Sequence, residues 1–345
     1  MAEQIYKRLA QALNAPSAQA PALLCDEWYA LARELFTVRE AEIACGMPVK
    51  PVTVEDLAKQ LLWVDVKQLS EQLEKMADKG LVRVDIRDGE RFYELLPLLP
   101  GIIECQFLDG KVDERAKRVA LLWRQYLKAA RRQTEAAPQV AKPTTGIGGV
   151  IPVEKTFEHR MTVLPYDEAM KLIDEKEYIA AGTCPCRHMG DLLDKPCSKP
   201  KMDMCIYFGS FAKFIVSRGF AHVLSKEEAR QRIEEADKAG LVHTYADSNH
   251  RYADVMCNCC GCHCPILVGL NRSPSPSNSA IVNWVVMIDD GACIGCGACV
   301  DRCWMSALKM TDTLLTRDAN RCIGCGVCIP ECPADALKLE HRTAF

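Results

Sequence analysis

"CIGCGACVDRCWMSALKM" at residues 293–310 and "CIGCGVCIPECPADALKL" at 322–339 are the same segment written twice. They agree at ten of eighteen positions and lie 29 residues apart. Such a repeat implies a pseudo-twofold unit built from two similar halves, each too small to enclose a core by itself. Each copy reads C-x2-C-x2-C-x3-C, with glycines between the first cysteines.

That spacing has a chemical meaning. Closely spaced thiolates in a tight loop wrap three corners of a cubane, and a fourth cysteine just beyond reaches the neighbouring cluster. Gly295, Gly297, Gly324 and Gly326 let the backbone turn closely around an inorganic core and aim amide donors at its sulfides. The segment from about 287 to 341 closely resembles the bacterial two-[4Fe–4S] ferredoxin domain. By that resemblance, Cys293, Cys296, Cys299 and Cys332 hold one cluster, and Cys322, Cys325, Cys328 and Cys303 hold the other. The family places proline after the fourth cysteine. Cys332-Pro333 complies, but Cys303 is followed by Trp304, which alters the packing near one cluster without removing a ligand.

Working outward, the chain has 345 residues and twenty cysteines, seventeen of them between Cys184 and Cys332. The size is enough for two or three domains. No export signal or run of about 18 apolar residues is visible, so the expected address is the cytoplasm, with no membrane span. In a reducing compartment such cysteine density indicates metal rather than disulfides. A net charge of -3 gives no general attraction to nucleic acid or anionic membrane.

The middle of the chain holds a second group: Cys184, Cys186, Cys197 and Cys205, then Cys257, Cys259, Cys260, Cys262 and Cys264. Nine thiols suffice for one or two further iron–sulfur clusters, with Arg187 and Lys199 offsetting negative charge. Ligands drawn from both stretches are as acceptable as one cluster per stretch. Cys259 and Cys260 are neighbours at a strand end and face opposite ways, so a regular strand does not give both to one metal. Zinc is the rival, since four cysteines, or three and a histidine, commonly hold it, although the CxC spacings fit less well than its usual knuckles. Free or sulfur-transfer thiols are a third possibility. His188 and His263 read as hydrogen-bond donors or surface residues rather than ligands, and Cys25, Cys45 and Cys105 as core thiols. The "CCG" at 259–261 weakly resembles the cysteine-rich domains of heterodisulfide-reductase-like subunits. "GIGG" at 146–149 lacks the rest of a nucleotide fingerprint.

The expected fold class is α+β and multidomain. Residues 1–133 form a helical, winged-helix-like region, and 134–156 a linker. Residues 157–270 form the cysteine-rich domain, 271–286 a second linker and 287–345 the ferredoxin unit. In the first region Thr53 caps a helix, Val66, Leu69, Leu73 and Met76 make an apolar stripe, Gly80 ends it, and "LVRVDIRDGERFYEL" is a hairpin. That order resembles a winged-helix module, but the candidate recognition helix balances Lys67 and Lys75 with Glu71 and Glu74, so nucleic acid is not the expected partner. A helix at 112–133 carries Val119, Leu122, Trp123, Tyr126 and Leu127 on one face. Ser225 and Glu228 form a capping box for a helix ended by Gly240, followed by a second hairpin that leads into "CNCCGCHC".

The arrangement is similar to a group of cysteine-rich iron–sulfur proteins of anaerobic bacteria. The resemblance implies an electron-transfer protein, a component of an anaerobic oxidoreductase complex that exchanges electrons with redox partner proteins. A redox- or iron-sensing transcription regulator is the alternative from another class, and an enzyme working at an unusual middle-domain cluster is a third.

Overall fold

The computed structural model describes residues 2–14, 22–136, 162–246, 254–279, 282–312 and 314–341. "GIGG", most of the first expected linker and the turn of the second hairpin lie outside these residues. The fold mixes helices with several small sheets.

The N-terminal part contains α1 (Ala2–Leu13), α2 (Asp26–Leu35), α3 (Val38–Gly46), α4 (Val54–Gln60) and α5 (Val66–Asp78), then β1 (Val82–Arg87) and β2 (Glu90–Leu95). Local chemistry explains the boundaries. The Thr53 hydroxyl accepts the Asp56 N–H at 3.2 Å, and the Asp65 carboxylate accepts the Gln68 N–H at 3.0 Å, each satisfying an orphan donor of a first turn. Gly80 ends the second helix at φ +67°. Leu69, Leu73 and Met76 are buried as the stripe requires, but Val66 is exposed, because the first residue of α5 lies beyond the packed face. The strands pair antiparallel through Asp88 and Gly89, both with positive φ, the turn that suits strand twist. A one-turn α6 (Ile103–Cys105) precedes α7 (Glu114–Ala136), whose Val119, Trp123 and Tyr126 are buried.

The middle part runs β3 (Thr162–Leu164), α8 (Tyr166–Glu175), β4 (Ile179–Gly182), α9 (Pro185–Leu192), β5 (Cys205–Phe208), α10 (Gly209–Ser217), β6 (His222–Leu224), α11 (Lys226–Lys238), β7 (Val242–Ala246), β8 (Asp254–Cys259), α12 (Pro265–Arg272) and α13 (Pro276–Ser279). Its strands form one antiparallel sheet in the order β3-β7-β8-β5-β4-β6. The Ser225–Glu228 capping box is present and Gly240 follows the helix with φ +70°. One buried apolar cluster runs from Ile5 to Cys260, so Tyr207 of the sheet and Phe211 of α10 share a core with Leu81 and Phe107. Arg218 adds charge to this joint, binding Glu74 at 2.9 Å and Asp78 at 2.6 Å on α5.

The last part contains β9 (Trp284–Ile288), α14 (Ala298–Arg302), β10 (Leu308–Thr311), β11 (Leu314–Arg317) and β12 (Leu337–His341). The first strand pairs with the last and the middle two pair with each other, all antiparallel. This nesting gives the repeat its near-symmetry.

Candidate metal centre

The two repeats exchange cysteines. Cys299 lies among Cys296, Cys332 and Cys293, whereas Cys328 lies among Cys325, Cys303 and Cys322, with Cys299 of the other set a weaker neighbour. Each quartet therefore takes three sulfurs from one repeat and the fourth from the other. Cys293, Cys296, Cys299 and Cys332 together line one cavity, closed by Met310, Leu315 and Leu337. The ligand loops turn at Gly295, Gly297, Gly324 and Gly326, all with φ between +62° and +75°. Equivalent amides donate to equivalent sulfurs: Ala307 N–H to Cys303 Sγ and Ala336 N–H to Cys332 Sγ, both at 3.3 Å. Burial pushes the Cys325 thiol up to about 12 and raises Cys328 as well. Thiols so placed ionise only against a compensating cation, and a cavity bounded by four sulfurs fits a cluster that supplies one.

The nine middle cysteines divide six and three. Cys184 lies beside Cys186 and Cys205, and Cys186 beside Cys264. Cys264 lies beside Cys259, Cys259 beside Cys257, and Cys257 beside Cys205, which closes a ring of six sulfurs. The fold accounts for the ring. Cys205 and Cys257 are register partners on adjacent strands, and Cys257 and Cys259 share one face of β8. Cys184 and Cys264 are the N-caps of α9 and α12, and each is followed by a proline at the first helical position. Hydrogen bonds from Cys186 and Cys205, helped by Arg187, hold Cys184 well below the usual thiol range. Those from Cys186 and Cys259, with the N–H groups of Leu267 and Ile266, do the same for Cys264. Two cysteines at two helix N-termini thus belong to one ring of sulfurs.

Arg187 stands beside the ring and is only 1% exposed. Its Nη1 donates to the Asn258 carbonyl at 3.0 Å, while Nε and Nη2 have no hydrogen-bond partner among the described residues. Burial pulls the guanidinium pKa down, but the sulfurs of Cys184, Cys205 and Cys260 outweigh it and raise the pKa. Orphaned buried donors beside six sulfurs suit an anionic, sulfide-bearing group.

The other three sulfurs, of Cys197, Cys260 and Cys262, gather with His263, every ligand atom within 4.8 Å of the others. Cys259 ends β8 and belongs to the ring, whereas Cys260, just past the strand, belongs to this second set. Both sets thus draw on both cysteine stretches. His263, expected as a donor or surface residue, lies here with its Nδ1 3.1 Å from Cys262 Sγ. Its position next to Cys262 was the visible signal in the sequence, shared with His188 beside Arg187 and the CPC stretch, and it did not separate the two histidines. His188 behaves as a hydrogen-bonding residue, with its Nε2 2.9 Å from the Lys111 carbonyl. Lys199 donates to the Ala239 carbonyl at 2.6 Å and lies over the Trp304 ring at 5.8 Å. Cys105 is buried, Cys25 and Cys45 are half-buried, and desolvation raises all three thiols.

The departure at Trp304 turns out to be a joint. Its indole N–H donates to the Gly240 carbonyl at 2.6 Å, and its ring lies against Gly261, where a Cβ would come 2.4 Å from Cε3. Next to it, Arg302 donates to the carbonyls of Asp237 at 2.9 Å and Lys238 at 2.8 Å, the negative end of α11. Cys303 lies between these two anchors, so a cysteine of one C-terminal quartet is fixed against the "CNCCGCHC" loop. Cys259 and Cys264 of the ring share a buried apolar cluster with Cys299, Cys322 and Cys328.

No helix of the described residues is long and apolar enough to cross a membrane. No curated protein and no solved structure matches the chain. Residues 292–336 match the family model of the 4Fe-4S dicluster domain, and the C-terminal unit with its two interleaved cysteine quartets is such a domain.

Proposed function

We propose that the chain is an electron-transfer component of an anaerobic, cytoplasmic oxidoreductase complex, with two [4Fe–4S] clusters in the C-terminal unit and one further cluster in the six-sulfur ring. The observation that carries this reading is the continuity of sulfur sites across the Arg302–Trp304 joint. Cys303 is fixed against the cysteine loop of the middle sheet, and ring sulfurs share a core with both quartets. The bound clusters would supply one-electron chemistry, at potentials near about −400 mV for the ferredoxin type. The residues of the chain set the rest. Paired N–H···S bonds at Cys303 and Cys332 withdraw charge from those sulfurs, the apolar packing excludes water, and Arg187 offsets charge in the ring.

The N-terminal part, winged-helix-like in the order of its elements, would serve as a docking module. Glu74 and Asp78 of α5 are engaged by Arg218, which ties this helix to the middle part, and Lys67 and Lys75 stand on a helix that also carries Glu71, a weak electrostatic footprint for phosphate. This favours the carrier over the DNA-binding regulator.

The test is iron and acid-labile sulfide per chain after anaerobic purification. About 12 iron is expected, falling to about 8 in Cys205→Ser. About 8 in the unaltered protein would refute the middle cluster.

A further inference from the structure

We propose that Cys197, Cys260, Cys262 and His263 form a mononuclear zinc site, separate from the iron–sulfur centres, that staples the 195–199 loop to the end of the β7–β8 hairpin. The proposal stands apart from the electron-transfer reading and needs no cluster in the ring.

The separations are those of one small ion. Cys197 Sγ lies 3.3 Å from Cys262 Sγ and 4.0 Å from Cys260 Sγ, and the imidazole Nδ1 is 3.1 Å from Cys262 Sγ. A tetrahedral ion with metal–sulfur bonds of about 2.3 Å holds its sulfurs about 3.8 Å apart. A cubane interposes four irons between its thiolates and needs them much farther apart than four atoms confined within 4.8 Å.

The histidine is prepared for the role. Its Nε2 lies 2.7 Å from the Lys195 carbonyl, an acceptor only, so Nε2 carries the proton and Nδ1 keeps its lone pair toward the sulfurs. Room for the ring comes from Gly190, where a Cβ would stand 2.5 Å from both Cδ2 and Nε2 of His263. Lys195 is itself placed by its N–H bond to the Gly190 carbonyl at 2.8 Å.

Charge and exposure point the same way. Three thiolates, a neutral imidazole and a divalent ion sum to a single negative charge, and the Arg187 guanidinium lies against Cys260 to balance it. Binding releases three thiol protons and involves no redox change. Four protein ligands leave no open position, which is the form of a structural site rather than a catalytic one. Cys260 is buried and Cys262 exposed, so the site closes a surface edge of the middle sheet beside the ring.

The experiment measures zinc and iron together on full-length, anaerobically purified protein and its variants. The unaltered protein should carry about one zinc per chain. Its zinc X-ray absorption should show three sulfurs at about 2.3 Å and one nitrogen at about 2.0–2.1 Å. Cys262→Ser, at an exposed position, should lose most of the zinc with iron unchanged, and His263→Gln should weaken zinc retention at least tenfold against a chelator. Cys205→Ser should keep its zinc. Absence of zinc from the unaltered protein, loss of iron instead of zinc in Cys262→Ser, or loss of zinc in Cys205→Ser would each overturn the proposal. The last would assign the zinc to the ring.

Discussion

Gly261 and Trp304 offer the sharpest test of how the C-terminal unit is joined to the middle sheet. An alanine at 261 would place its Cβ 2.4 Å from Cε3, 2.9 Å from Cδ2 and 3.2 Å from Cβ of Trp304. Carbon atoms rest about 3.5–4.0 Å apart, so the indole must retreat by roughly 1 Å. Its 2.6 Å bond to the Gly240 carbonyl is strained or lost with it. Overpacking of this kind costs about 1–3 kcal/mol and a lost hydrogen bond about 1 kcal/mol. Gly261 does not have positive φ, so alanine adds no backbone strain and recovers roughly 0.5 kcal/mol through the unfolded chain. The net expectation for Gly261→Ala is a loss of about 2 kcal/mol. Trp304→Ala, at a half-buried position, should cost about 2–3 kcal/mol. In the double variant the clash has no partner, so its stability should match that of Trp304→Ala alone. The cycle then gives a coupling of about 2 kcal/mol, read from anaerobic denaturant midpoints followed by cluster absorbance. Additivity within about 0.5 kcal/mol would refute the joint as described.

Arg302→Ala should remove charge-assisted bonds worth about 2 kcal/mol at the end of α11 and speed amide exchange at residues 239–241, with Arg302→Lys intermediate. Unchanged exchange would mean that the helix end does not depend on this contact. Glu104 accepts the Gly101 N–H at 2.6 Å, yet desolvation pushes its carboxyl from 4.5 up to about 7. The folded state then holds a proton that the unfolded chain releases. Stability should therefore fall as pH rises from about 4.5 to about 7, by up to roughly 3 kcal/mol, and level off above. Glu104→Gln should flatten that slope in denaturant midpoints taken between about pH 5.5 and 8, and an unchanged slope would assign it to other groups.

The C-terminal quartets were legible because their signal is local: glycine-flanked thiols at fixed spacing, doubled 29 residues apart. Helix boundaries at Thr53, Ser225, Gly80 and Gly240 were legible for the same reason, since capping depends on three or four neighbouring residues. The division of the middle cysteines was not. It rests on the pairing of Cys205 with Cys257, residues joined only by the register of distant strands. Nothing in the sequence brings Cys197 to Cys262, or the Lys195 carbonyl to His263. Trp304 was visible as a departure from pattern, but what it touches, Gly240 and Gly261, depends on how two folded units meet. The partners of Lys199, a helix-end carbonyl and the Trp304 ring, were likewise hidden, because both come from segments far along the chain.

The six-sulfur ring also imposes an order on maturation. The C-terminal quartets use cysteines within forty positions of one another, Cys293 to Cys332, so a freshly made segment can present them by itself. The ring does not exist until β5 and β8 are side by side and two helices have started at Cys184 and Cys264, eighty positions apart. Closing so long a loop precedes any reward from the metal. A group held by the ring would therefore be inserted after the middle sheet has formed, and a chain loaded there would already have passed inspection by its own strand pairing.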